Sequence, residues 1–174
     1  MRTIGIDKAL RAGILVLTVA LVGVLASTLR DRLVVAGDSA PDFDVITDSG
    51  RKMSVSNFGG RVLVLNFWAT WCPPCISELP SLNAMAQELK GSGVVVLGIS
   101  VDKDKAAYEK FLKKVKLNFE TSRDPGADIS TEYGTFKYPE TYIISRDGKV
   151  LEKFIADRDW TEPQIIARLK GYAK

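Results

Sequence analysis

The sequence predicts an α/β sandwich, in which helices pack on a mixed central sheet, preceded by one membrane-spanning helix. Three observations predict it. Two continuous apolar, β-rich runs, Val62–Trp68 and Val94–Val101, each lead into a stretch of helical spacing. Two further strand-like segments, Thr141–Ser145 and Val150–Ile155, flank the hairpin turn Arg146-Asp147-Gly148-Lys149. The stretch Ala12–Leu29 carries no charge and is almost wholly apolar. Strand–helix–strand crossovers need parallel neighbours and a tight hairpin needs antiparallel ones, so the sheet is mixed.

In chain order, Ala12–Leu29 comes first. At ~1.5 Å rise per residue it just spans a hydrocarbon core of ~30 Å. Arg2, Lys8 and Arg11 precede it, which keeps residues 1–11 in the cytoplasm and sends the body of the protein to the far side. A cleaved signal peptide, with Val24 and Ala26 before the cut, is the rival reading and leads to the same compartment. Residues 30–37 read as a linker and 38–174 as one domain. Phe43, Val45 and Thr47 alternate, Asp48-Ser49-Gly50 is turn chemistry, and Lys52–Ser54 returns, so a small N-terminal hairpin is expected. Val62–Trp68 has the unbroken apolar character of a central strand. Cys72–Leu89 places Leu79, Leu82, Met85, Ala86 and Leu89 on one helical face, with Pro80 expected to kink it. After the strand Val94–Val101, the helix Lys105–Val115 turns Tyr108, Phe111, Leu112 and Val115 inward and leaves its lysines to solvent. A closing helix spans Thr161–Gly171, with Thr161 and Gln164 in capping-box spacing and Pro163 in the first turn.

Composition excludes several chemistries. Among 174 residues there is no histidine, which removes Ser–His and Cys–His catalysis, mixed Cys/His zinc sites and histidine-ligated haem. A net charge of +3 argues for no nucleic-acid partner. The only two cysteines, Cys72 and Cys75, cannot complete a four-cysteine metal site, so no metal is expected.

Those cysteines lie in Trp71-Cys72-Pro73-Pro74-Cys75, after a buried strand and at the start of a helix. Free N–H groups and the macrodipole at a helix start favour a thiolate, the nucleophile of disulfide exchange. Cys72, nearer the surface, is expected to attack, and Cys75, one turn inward, to resolve the mixed disulfide. A structural disulfide or half a metal site is the plainer reading. The preceding strand, the following helix and the adjacent Trp71 weigh against it. Pro73 and Pro74 carry no N–H, so two donors to a Cys72 thiolate are missing, which favours a reducing enzyme. Glu78 shares a helix face with Cys75, and a half-buried carboxylate there accepts a proton near neutral pH; otherwise it is a solvated first-turn glutamate.

The chain resembles the thioredoxin superfamily and, within it, the membrane-anchored TlpA/ResA-like thiol–disulfide oxidoreductases, over about residues 38 to 172. The resemblance is carried by Asn66–Cys75, by Glu78-Leu79-Pro80, by Tyr138-Pro139-Glu140-Thr141, and by a strand-and-helix insert between about Val94 and Phe119. It implies a thioredoxin-like fold and a redox-active Cys72–Cys75 disulfide with no other cofactor. It also implies a cis Tyr138–Pro139 bond beside that disulfide, where substrate backbone pairs. Trp71 would be an aromatic lid on the nucleophile and Glu78 the proton acceptor for Cys75. Where the best-known thioredoxins have a buried aspartate this chain has Asn66, which takes no proton and at the least satisfies nearby backbone groups. Implied partners are exported protein disulfides, apocytochrome c among them, and a transmembrane thiol reductant. A disulfide-forming oxidase would use the same sulfurs. A peroxiredoxin-like peroxidase needs a Pro–Thr–Cys pocket that this spacing does not supply, and a copper chaperone of this fold needs a histidine.

Overall fold

The protein is described here by a computed structural model covering residues 3–30 and 33–174. Arg2, counted in the basic flank, and Asp31 and Arg32 of the expected linker lie outside the described residues. Two compact units emerge, Met1–Leu33 and Val34–Lys174.

The first unit is α1 (Thr3–Arg30), a single helix. Within it the 20 residues Lys8–Ser27 are long and apolar enough to cross a membrane.

The second unit opens with the expected hairpin, β1 (Asp44–Ile46) antiparallel to β2 (Lys52–Ser54). Gly50 takes φ +83° at the turn, a conformation that favours glycine. The main sheet has five strands: β3 (Val62–Trp68), β4 (Val94–Ser100), β5 (Glu120–Arg123), β6 (Glu140–Ile144) and β7 (Val150–Ile155). Their order is β5-β4-β3-β6-β7. The β3–β4 and β4–β5 pairs are parallel; β3–β6 and β6–β7 are antiparallel, so the sheet is mixed as the crossovers require. The helices are α2 (Pro73–Glu88), α3 (Lys105–Lys114), α4 (Asp128–Glu132) and α5 (Pro163–Tyr172).

Period-two alternation along β3 splits the core. Val62, Val64 and Trp68 face a cluster with Leu79, Leu82 and Met85 of α2, Tyr108 of α3 and Ile165, Ile166 and Leu169 of α5. Leu63, Leu65 and Phe67 face the other side, with Phe43, Met53, Phe58, Tyr133 and Tyr142. All seven β3 residues are buried, which explains the unbroken apolar run apart from Asn66. The lysines Lys103, Lys105, Lys110, Lys113, Lys114 and Lys116 are all exposed.

Two features differ from expectation. The strand β5 and helix α4 were not foreseen: Glu-Thr-Ser-Arg has no apolar run, and it becomes a strand only because β4 offers a parallel edge. The α5 capping box does not form, because Thr161 Oγ1 donates to Asp159 Oδ1 and the N-cap is Glu162, without a side-chain cap. The helix α2 contains Pro80 in its interior, with the proline exposed.

Candidate redox site

The loop Ala69-Thr70-Trp71-Cys72 leaves the C-terminal end of β3 and enters α2. A buried acid sets its course. Asp102, just past β4, accepts from Thr70 N at 2.8 Å, Thr70 Oγ1 at 2.6 Å and Ser100 Oγ at 2.6 Å. Parallel pairing sets Trp68 beside Ser100, so the ends of the two strands leave the sheet side by side.

Cys72 is the N-cap of α2, with Pro73 and Pro74 filling the first two helical positions. Their missing N–H groups leave Cys75 N as the donor to Cys72 Sγ, at 3.3 Å. Cys72 and Cys75 are joined in a disulfide. Both cysteines are buried, but Cys72 retains 5% exposure and Cys75 none, so of the pair only Cys72 keeps any contact with solvent.

Antiparallel pairing of Phe67 with Glu140 brings Pro139 to the end of β3 from which the cysteine loop departs. The Tyr138–Pro139 bond is cis, as the resemblance implied. Tyr138 meets Trp71 edge to face, with ring centroids 6.2 Å apart, and its hydroxyl lies 3.1 Å from Ser130 Oγ. Trp71 is 63% exposed, and Phe136, two residues before Tyr138, is 79% exposed. Trp71 directly precedes Cys72, so an exposed aromatic surface adjoins the disulfide.

Glu78 is buried, on the same face of α2 as Cys75. Its Oε1 accepts from Asn66 Nδ2 at 2.8 Å and its Oε2 from Trp160 Nε1 at 3.0 Å. Burial pushes its carboxyl up to about 6; hydrogen bonds from Trp160, Asn66 and the Arg158 backbone oppose the rise, and the charge of Asp157 adds to it. Asn66 lies on the α2 face of β3, in register with Thr141 of β6, and also donates to Thr141 Oγ1 at 2.9 Å. Its side chain therefore serves side chains rather than the backbone groups expected. Asn66 Oδ1 is buried without a partner.

The structure thus gathers Cys72, Cys75, Pro73, Pro74 and Glu78 on the first turns of α2, with Trp71, Tyr138 and Pro139 beside the sulfurs. Trp160 and Asp102 escaped the sequence reading, and Thr141, named there only within a motif and a strand, proves to be the partner of Asn66. Trp160 left a signal, a lone tryptophan in the polar stretch Asp157-Arg158-Asp159, since so large a ring is seldom idle there. Among the described residues no cluster of three or more metal-ligating side chains occurs.

Residues 36–153 match the AhpC/TSA family. The thiol–disulfide oxidoreductase ResA of Bacillus thuringiensis subsp. konkukian is 34% identical over 134 residues, which cover 77% of this chain and 76% of that protein. ResA of Geobacillus thermodenitrificans is 33% identical over 144 residues, covering 81% and 83%. A DsbE-like thiol:disulfide interchange protein of Chlorobium tepidum superposes with a TM-score of 0.72 at 32% identity, over 80% of this chain and 99% of that one.

Proposed function

This chain belongs to the AhpC/TSA family, is a relative of the ResA thiol–disulfide oxidoreductases, and is a redox enzyme acting on disulfides; from that premise we propose that it reduces disulfides in exported proteins, apocytochrome c among them. The observation that carries the proposal is the asymmetry of the two cysteines: Cys72, the N-cap of α2 with 5% exposure, against Cys75, wholly buried one turn deeper.

In the proposed cycle the Cys72 thiolate attacks one sulfur of a substrate disulfide. That S–S bond breaks, a mixed disulfide forms, and the first substrate thiolate leaves. Cys75 passes its proton to Glu78, then attacks Cys72 Sγ and expels the second substrate sulfur. Two electrons pass to the substrate and the Cys72–Cys75 disulfide closes. With its carboxyl near 6, Glu78 is mostly ionised at neutral pH and ready to accept the proton. Trp71, Tyr138 and Pro139 form the face on which the substrate strand lies. The missing Pro73 and Pro74 N–H groups leave the thiolate less stabilised, which favours reduction of the substrate over its oxidation.

In this reading α1 is a single-pass anchor with its N-terminus cytoplasmic and the domain outside. The disulfide is the only redox group, and a transmembrane thiol reductant regenerates the dithiol. The test is capture in intact cells with Cys75→Ala. The variant should hold substrates on Cys72 as mixed disulfides that a chain lacking both cysteines does not. Apocytochromes among them support the maturation role. A broad set of exported cysteine proteins replaces it with general disulfide reduction, and no Cys72-linked protein at all refutes the proposal.

A further inference from the structure

Trp160 sits in the loop between β7 and α5, wholly buried, although its neighbours Asp157, Arg158 and Asp159 are polar. The loop is clamped at both ends. Ala156 N donates to Pro139 O at 3.0 Å, and Trp160 N donates to Ser81 Oγ of α2 at 3.1 Å. The indole stands edge-on to Phe154, centroids 5.6 Å apart at 88°, which leaves its N–H pointing at Glu78 Oε2, 3.0 Å away. A buried indole N–H needs an acceptor, and here the acceptor is the one buried carboxylate on the cysteine-bearing helix.

We propose that Trp160 is a positioning residue for proton transfer: its indole N–H holds the Glu78 carboxylate anionic beneath the redox helix and so sets the pH at which Cys75 can be deprotonated. This rests on the reading of Glu78 as proton acceptor. A neutral donor to a buried carboxylate favours the ionised form over the protonated one. The other groups that face Glu78 are few. From β3 comes neutral Asn66, and from β6, behind it, Thr141. The loop contributes Asp157, whose charge opposes ionisation, and the Arg158 backbone N–H. The Arg158 guanidinium instead stacks 3.9 Å from the Phe154 ring centroid, and no salt bridge joins it to Glu78 among the described residues. A cavity of about 520 Å³ lined by Glu78, Ser77, Ser81, Asp157, Arg158 and Asp159 adjoins the carboxyl, and in this proposal it is the route by which the proton leaves to solvent. With no full counter-charge in contact, each hydrogen bond weighs heavily on the ionisation of Glu78.

The experiment uses the full chain in detergent micelles. Trp160→Phe keeps a ring but removes the N–H. Replacing Trp160 by benzothienylalanine keeps the bicyclic shape as well, should the phenylalanine variant fold poorly. The first readout is the carbon-13 titration of the Glu78 carboxyl in the oxidised protein. The second is the pH dependence of glutathione release from the chain glutathionylated at Cys72. Both midpoints should rise by about one pH unit without the indole N–H. In a Glu78→Gln background the substitution should leave the release profile where Gln alone puts it. Unmoved midpoints in both variants, with release still dependent on Glu78, overturn the role of Trp160. If Glu78→Gln leaves release untouched, the acceptor reading fails instead, and the carboxyl titration alone still decides whether Trp160 holds the anion.

Discussion

Glu78 couples the chemistry of the redox helix to the stability of the fold. Its carboxyl titrates near 6 in the folded protein against an ordinary 4.5, because burial disfavours the charge more than its hydrogen bonds restore it. The folded state therefore holds this proton more tightly than the unfolded chain does. Its contribution to stability is complete below pH 4.5 and is lost as pH rises through 6. The loss amounts to about 2 kcal/mol. Glu78→Gln does not titrate, so urea denaturation of both proteins should show the variant gaining about 2 kcal/mol on the wild type between pH 4 and pH 7.5. A constant difference across that range would mean that the carboxyl is not held up by burial. In the proposed cycle the same site trades stability for proton transfer, since the anion that would accept the Cys75 proton is the form the interior disfavours.

At the scale of elements, the segment carrying Pro139 is held by a second buried carboxylate. Lys153 of β7 pairs opposite Tyr142 of β6, and Glu140 lies two residues along, within diagonal reach. Lys153 Nζ meets Glu140 Oε1 at 2.8 Å, and Thr135 Oγ1 and the Tyr142 hydroxyl donate to the same oxygen. The two side chains are 13% and 1% exposed, so the pair is nearly dry. Removing one partner strands the other. Lys153→Met should cost roughly 3–5 kcal/mol in chemical denaturation, whereas the double variant Glu140→Gln, Lys153→Met should recover most of it. Equal losses in both would make the pair irrelevant and the Lys153 stem the source of stability. Because Thr135 opens the loop that carries Phe136, Tyr138 and Pro139, slower disulfide exchange should accompany the single substitution.

At the scale of the molecule, an apolar helix long enough to cross a membrane belongs to the same chain as the compact unit Val34–Lys174. Deleting residues 2–33 should move the protein from the membrane fraction to the soluble one and leave its disulfide exchange in solution intact. Retention on membranes after that deletion would point to a second anchoring surface.

Much of this arrangement was legible in the sequence, because it is written in local patterns. Unbroken apolar, β-rich runs marked β3 and β4, and period-3.6 hydrophobicity marked α2 and α3. The turn Arg146–Lys149 marked the β6–β7 hairpin, and Cys72–Cys75 after a strand marked the redox centre. Three things depended on the assembled chain. The strand β5 exists because β4 presents an open parallel edge, not because Glu120–Arg123 favours a strand. The partners of Glu78 come from residues 12 and 82 positions away, which register and packing alone bring to it. Its readiness to take a proton near neutral pH follows from those partners and from burial. Local spacing names the reacting groups, but the ionisation of a buried acid is set by what long-range packing puts around it.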